Sequence, residues 1–239
     1  VKFKKTTFVG ISEILKFPDS YTALAVMMDD TGIVADADGK KIVAKGTIVG
    51  GAAAPVLTDT TQKVQKKNTA SVAATLATGV IGSNNAITFT AKVAGTIGNA
   101  TKVQLKNPAA ASQALAVSIV GDTIVVSLAT DGASALTSTA ADVVTAVNAH
   151  LTAKTLVSAA NTGASTGAGV VAAVAATPLA GGTNGNATAA EGVLLNDVDV
   201  TNGAAPATMI IQGYLAKNKL PEAPVAEAIA ALPLIKFIV

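Results

Sequence analysis

The residue types that do chemistry are sparse in this chain of 239 residues, which has one His and no Cys. His150 lies near the end of a helix-patterned stretch, where the ring interacts favourably with the helix dipole. No Ser or Asp is spaced to form a triad with it, so its reading is structural. The stretch "DADGKK" opens like a calcium loop with Asp36 and Asp38. Such a loop needs oxygen ligands at alternate positions and a closing Glu; here no Glu stands at the closing position, and a turn is the simpler reading. "NDVDV" puts Asp197 and Asp199 on one face of a strand. Paired carboxylates hold metals or exchange protons, but no third ligand stands in register, and an exposed polar face accounts for the pair. "GGTNGNA" lacks both the Lys-Ser/Thr ending of a phosphate loop and the Rossmann spacing. The absence of Cys removes disulfides, thiolate nucleophiles and Cys-ligated metals. The chain therefore reads as no enzyme, with no cofactor, no metal and no catalytic residues.

Composition narrows the class. Half of the residues are hydrophobic, largely Ala and Val, while aromatics are 3% and charged residues 13%. That charge content is about half the usual share. With many Thr, Ser, Asn and Gly, it points to β-structure with short turns rather than disorder, which is poor in aliphatics. A net charge of +2 is too weak to argue for nucleic acid. Basic residues cluster at Lys2, Lys4 and Lys5 and again at Lys63, Lys66 and Lys67; they read as a solvated terminus and a linker, or, for the first, as a docking element for an acidic protein surface. No apolar run approaches the ~18 residues of a membrane span, so no membrane is expected. "VKFKKTTFVGISEILKFPD" is broken by Ser12, Glu13 and Lys16 and does not read as a signal peptide. A Cys-free chain fits assembly inside a cell, with stability gained by oligomerisation.

The elements that would position any site fall into three textures. Phe3, Phe8, Phe17 and Tyr21 lie near the start, Tyr214 and Phe237 near the end, and only Phe89 lies between. Aromatics dominate core burial, so the two ends are expected to share one core. The expectation is a mainly β fold with minor α (α+β): residues 1–65 plus 185–239 form one discontinuous domain with an arm over 1–20, and 69–184 is an inserted α+β domain. "TDTTQKVQKKNTA" and "AGGTNGNATAA" read as the linkers.

Within the first piece, residues 23–28 read as a strand, and Asp38-Gly39 reads as a hairpin turn between Ile33-Val34 and Ile42-Val43. "GTIVGG" reads as a short buried strand. In the middle, Ile87, Phe89 and Ala91 alternate, as do Val103 and Leu105, and Ile124, Val126 and Leu128 after a turn at Gly121-Asp122. The period then changes. Thr139 with Asp142 resembles a capping box, and Val143, Val147 and Leu151 share one helical face. "KTLVSAA" returns to a strand. In the last piece, "GVLLNDVDV" and "ATMIIQGYL" read as strands about a turn at Thr201-Asn202-Gly203. A short helix follows, with Val225, Ile229 and Leu232 apolar, and "LIKFIV" reads as a final strand. A terminal strand this hydrophobic needs burial in its own sheet or against a partner.

Two segments carry a resemblance: "TFVGI…YTALAVMMDDTGIVADADGKKIVAKGTIVGG" and "AEGVLLNDVDVTNGAAPATMIIQGYLAKNKLP…ALPLIKFIV". They resemble tailed-phage head decoration proteins, in particular the head fibre proteins of Gram-positive phages. The second segment is similar to lambda-type head decoration domains, in which a G-V-L-L-x-D-V-D strand precedes another strand. The middle resembles a repeat module of phage structural and bacterial surface proteins. The resemblance implies a virion structural protein, made in the host cytoplasm. It would bind the major capsid protein on the outer capsid surface at three-fold positions, as a homotrimer that reinforces the shell or displays an appendage. Compact decoration proteins lack the insertion, so here it would form an outward knob.

Two sets of residues are expected to carry this role. Lys2, Phe3, Lys4, Lys5, Phe8, Ile11 and Phe17 mix charge with large apolar groups, as suits an arm laid across a capsid. Leu194, Ile210, Tyr214, Val225, Ile229, Leu232 and Phe237 are expected to build the core and trimer contact. Two other readings stand beside this one. A surface adhesin would bind host-surface glycan through the inserted domain, but that domain holds a single, inward Phe. A tail tube or sheath subunit would need long polymer-forming hairpins.

Overall fold

Apolar residues alternate with polar ones along much of the chain, and side chains of a strand alternate sides in the same way. The computed structural model, which describes residues 13–239, is accordingly mainly β, with 37% strand and 15% helix. The described residues divide into two compact units. One takes those up to Ala70 together with Gly185–Val239, and the other is Ser71–Asn184.

The first unit opens with β1 (Thr22–Met28), β2 (Ile42–Val43), β3 (Ile48–Gly51) and β4 (Lys63–Lys66). The second unit follows in sequence, with β5 (Ala73–Thr78), β6 (Ile87–Ala94), β7 (Lys102–Lys106), β8 (Ala116–Val120), β9 (Thr123–Ser127), helices α1 (Ala140–Ala149) and α2 (Ala153–Leu156), β10 (Val157–Asn161) and β11 (Val174–Pro178). The chain then completes the first unit with β12 (Gly192–Leu194), β13 (Val198–Asp199), β14 (Ala205–Ala216), α3 (Ala226–Ala231) and β15 (Ile235–Ile238).

In the first unit, pairing runs β1-β4-β3-β12-β14 and returns from β14 to β1, so five strands close into a ring. Only the β1–β4 step within that ring is parallel. Closure removes the free edges that an open sheet would expose. Ile48/Val49, Val193/Leu194 and Met209/Ile210 each send consecutive side chains to opposite sides. Val49, Leu194 and Met209 pack with Val26, Met28 and Val64, while Ile48, Val193 and Ile210 pack with Ile14, Leu215, Leu232 and Ile235. Each such buried aliphatic contributes roughly 1.5–3 kcal/mol.

Three expectations for this unit are corrected. Asp38-Gly39 does not join a hairpin of Ile33-Val34 and Ile42-Val43. Asp36 Oδ1 accepts from the Asp38 and Lys40 N–H groups and closes a local turn, Val34 is 88% exposed with no core to face, and β2 pairs with β13 instead. "GVLLNDVDV" is not one strand. It breaks at 195–197, where Asp197 Oδ1 accepts from the Lys45 N–H at 2.7 Å, so β12 joins the ring and β13 leaves it. Asp197 and Asp199 therefore do not share a strand face. The Lys-rich stretch expected as a linker contains β4, because Val64 supplies a fully buried side chain.

The second unit has two sheets, β10-β6-β5 and β11-β7-β9-β8. Phe89, Ile87, Val103, Leu105, Ile124, Val126 and Leu128 enter one core with Val143 and Val147 of α1. Thr139 caps α1 in a capping box: its hydroxyl accepts from the Asp142 N–H at 3.2 Å and the Asp142 carboxylate accepts from the Thr139 N–H at 2.9 Å. Two corrections apply here. Leu151 lies beyond the helix end and is 77% exposed, because His150 already has extended backbone and ends α1. The start of "KTLVSAA" is the helical turn α2 rather than strand, and His150 Nδ1 accepts the Ala153 N–H that opens that turn.

Residues 69–184 expressed alone should unfold in one cooperative transition, and Thr139→Ala should lower that stability by about 1 kcal/mol in denaturant titration. A melt without cooperativity would count against an independent unit.

Candidate protein-contact surface

The site is built where the described chain enters the first unit. Ile14 and Leu15 are buried among Ile210, Leu215 and Ile235. The Lys16 N–H donates to the Tyr214 carbonyl at 2.9 Å and the Ala216 N–H donates to the Ile14 carbonyl at 2.8 Å. Residues 14–16 thus add to one edge of β14, while β15 pairs with its other edge over Gly213–Ala216. The arm expected over 1–20 therefore does not extend through Ile14 and Leu15, whose apolar side chains complete the core. Lys2, Phe3, Lys4, Lys5, Phe8 and Ile11 lie outside the described residues. They precede Glu13, where the described chain begins.

Beside this entry the surface is aromatic. Phe17 is 53% exposed and meets the Tyr214 ring edge-on, with centroids 5.2 Å apart. Tyr21 is 41% and Tyr214 40% exposed. An adjoining cleft of about 300 Å³ is lined by Ile14, Pro18, Tyr21, Lys45 and Leu195. Aromatic rings with a wet polar tip and an apolar body are the residues enriched at protein contacts.

A second apolar area surrounds the loop after β3. Glu191 organises it: its carboxylate accepts from the N–H groups of Gly51 at 2.6 Å, Val56 at 2.9 Å and Leu57 at 3.0 Å. These bonds hold Pro55 and Leu57 beside Ile211, Leu232 and Leu234 around a cleft of about 390 Å³. Leu57 and Leu234 remain more than half exposed. Sequence reasoning did not single out Glu191; its signal was a lone acid immediately before a buried, Gly-led strand.

The residues expected for core and trimer contact separate into groups. Leu194, Ile210 and Leu232 are buried within the unit. Val225 and Phe237 are half-buried against the same cluster. Tyr214 and Ile229 are exposed. Ile229 lies by a smaller cleft with Lys217 and Phe237.

Among the described residues, no group of three His, Cys, Asp or Glu side chains is placed to hold a metal ion, and no helix is long and apolar enough to cross a membrane. Asp29 is the buried acid of the first unit. The Gln65 amide donates to its Oδ2 at 2.7 Å. That bond, with smaller help from Thr31 and Lys63, holds the carboxyl below its usual range against the opposing effect of burial. No protein-family model matches the chain, and no curated protein or solved structure matches it.

Glu191→Ala leaves three backbone donors without their acceptor and should lower stability by about 2 kcal/mol in denaturant titration. Glu191→Gln, which keeps one acceptor oxygen, should lose less. Equal unfolding of Glu191→Ala and the parent would contradict the clamp. A separate expectation concerns acid. A carboxyl depressed in the folded state stabilises above its unfolded value, and that contribution disappears as pH falls through the folded value. The first unit should therefore lose stability as pH falls from the usual carboxylate value of about 4 down through the lower folded value of Asp29. Asp29→Asn should flatten this slope while lowering stability at neutral pH; an unchanged slope would remove Asp29 from the account.

Proposed function

We propose that this chain is a virion structural protein whose first unit binds the outer surface of a phage capsid as a decoration or head fibre trimer. The bound trimer would stiffen the shell, and residues 71–184 would stand outward as a knob. The observation that carries the reading is the exposed cluster of Phe17, Tyr21 and Tyr214 at the point where the Lys- and Phe-bearing residues 1–12 join the fold. A solvated tail does not need large apolar groups beside an aromatic surface; a segment that docks on another protein uses both, with Lys meeting acidic groups of the shell. The resemblance of the two outer segments to head decoration proteins supplies the partner, the major capsid protein.

Self-association draws on the second apolar area. Leu57 and Leu234 line one cleft and are both more than half exposed, and Ile229 is exposed beside a smaller one; apolar surface of this kind marks contacts. Glycan recognition by the knob gains no support, since the one aromatic of the second unit, Phe89, is fully buried.

The test is co-sedimentation with empty capsids. Deleting residues 2–12, and separately replacing Phe17 and Tyr214 by Ala, should each weaken capsid binding at least about tenfold, because anchor aromatics typically cost more than 1 kcal/mol each. Deletion should leave thermal unfolding unchanged. Capsid-bound protein should be present as trimers. Full occupancy by both variants, or single chains on the shell, would overturn the reading.

A further inference from the structure

The two sheets of the second unit have four outer edges, and three carry a device that blocks further pairing. At the β10 edge, the Asn148 side chain satisfies both backbone groups of Ala159: its Nδ2 donates to the carbonyl at 2.8 Å and its Oδ1 accepts from the N–H at 3.0 Å. At the β5 edge, Thr75 exchanges two backbone bonds with Ala180, at 2.8 and 2.9 Å, and Val72 pairs with Thr183. At the β11 edge, the register shifts between Val174 and Thr177, and Pro178 follows. The Leu179 N–H donates inward to Thr101, so the donor-less Pro178 nitrogen faces outward. Bulges, prolines and side-chain caps are how edge strands are kept from pairing.

The β8 edge has none of these. On β9, the Asp122 carbonyl accepts from Lys102 and the Leu128 N–H donates to Lys106, so the even-numbered residues of β9 direct their backbone to β7. Thr123, Val125 and Ser127 therefore bond to β8, where they pair with Val120, Ser118 and Ala116. Val117 and Ile119 must turn their N–H and C=O groups outward. No described residue pairs with them. Their side chains pack on the core, while Val120 is 66% exposed. The strand, Ala-Val-Ser-Ile-Val, carries no charge and no proline.

We infer that β8 pairs antiparallel with β8 of a second copy about a two-fold axis at Ser118, joining two four-stranded sheets into one of eight strands. An isologous contact requires that each residue meet its symmetric counterpart acceptably. The strand is nearly palindromic in type about Ser118: β-branched Val117 and Ile119 on either side, then Ala116 and Val120. In that register Val117 exchanges backbone bonds with Ile119 of the copy, and the same exchange recurs across the axis. Ser118 faces Ser118 in a non-hydrogen-bonded pair, where Cα atoms approach to about 4.5 Å. The core-facing side chains of both copies stay on one face and the small ones on the other. An unrelated extended peptide would fill the same edge, but nothing in the strand selects its sequence, whereas the symmetry about Ser118 selects itself. The pairing is independent of capsid binding; were the first unit trimeric, it would link neighbouring trimers.

The test uses the full chain, which has no Cys of its own. Ser118→Cys places two thiols within disulfide reach across the axis. Val120→Cys, exposed on the same face, faces Ala116 of the copy and lies about four residues from its own counterpart, roughly 13 Å away. Under mild oxidation Ser118→Cys should give a covalent dimer on a denaturing gel at least about tenfold faster than Val120→Cys. Ser118→Lys sets like charges opposite each other and should reduce the solution mass by about half in sedimentation equilibrium, with its circular dichroism unchanged. Equal or reversed cross-linking rates, or a Ser118→Lys mass equal to the parent's at every concentration, would overturn the proposal.

Discussion

β14 has to satisfy backbone groups on both of its edges along most of its twelve residues, and the first unit is arranged around that demand. Its first part pairs with β1 on one side and, at Met209 and Ile210, with β12 on the other. Its last part takes residues 14–16 on the first side and β15 on the second. Four segments, two from each end of the chain, converge on one strand. Each unpaired buried amide would cost about 1–3 kcal/mol, so loss of any of these partners would be felt through the whole ring. The surface aromatics follow from the same strand. Tyr214 lies where β14 runs past the ring, and its backbone carbonyl holds the segment that delivers Phe17.

The same unit also explains how so long a segment can interrupt it. Asn186 fastens both ends of the gap: its Oδ1 accepts from the Thr69 N–H at 3.0 Å, its own N–H donates to the Thr69 carbonyl at 2.9 Å, and its Nδ2 donates to the Lys66 carbonyl at 3.0 Å. Asn68 adds a link to the start of α3, accepting from the Val225 N–H at 3.0 Å. An insertion that leaves and returns at one fastened point does not strain its host, because the loop-closure cost grows only slowly with length. Glu191, five residues further on, then sets the loop after β3. Asn186 and Glu191 thus place two multiply bonded polar side chains where the chain was split.

Legibility in the sequence followed the range of the interaction that decides each element. β6, β7 and β9 could be read directly, because strict alternation of Ile87, Phe89 and Ala91, of Val103 and Leu105, and of Ile124 and Val126 fixes both strand and buried face. The start of α1 was legible for the same reason, since Thr139 and Asp142 are three residues apart. The break in "GVLLNDVDV" was not, because its cause is the Lys45 N–H, 152 positions away in the chain. The same holds for β2 and β13, two-residue strands that exist only through each other. Asp36 also misled: a carboxylate that bonds forward to Asp38 and Lys40 makes a turn without strands. Glu191 was invisible because its three partners are backbone groups of an Ala-rich loop, which carry no side-chain pattern. Of the residues expected to contact a capsid or a second copy, sequence marked the apolar ones but not their exposure. Ile210 and Ile229 read alike, yet one is fully buried and the other open.

The placement of aromatics runs against the usual economy of a core. Large rings bury more apolar surface than any aliphatic, and a chain with five Phe and two Tyr has few to place. Among the described ones only Phe89 is fully buried. Phe17, Tyr21 and Tyr214 stand out in solvent and Phe237 is half-covered. Apart from Phe89, the buried members of the three apolar clusters are Val, Leu, Ile, Ala and two Met. Moving one of those rings inward would add burial worth roughly 1.5–3 kcal/mol, comparable with a sizeable part of a domain's net stability. A surface that holds its rings at that expense is better understood as one that buries them later, against something else. The proposed capsid contact draws on this, since the area left uncovered in the free chain is the area available to be covered on docking.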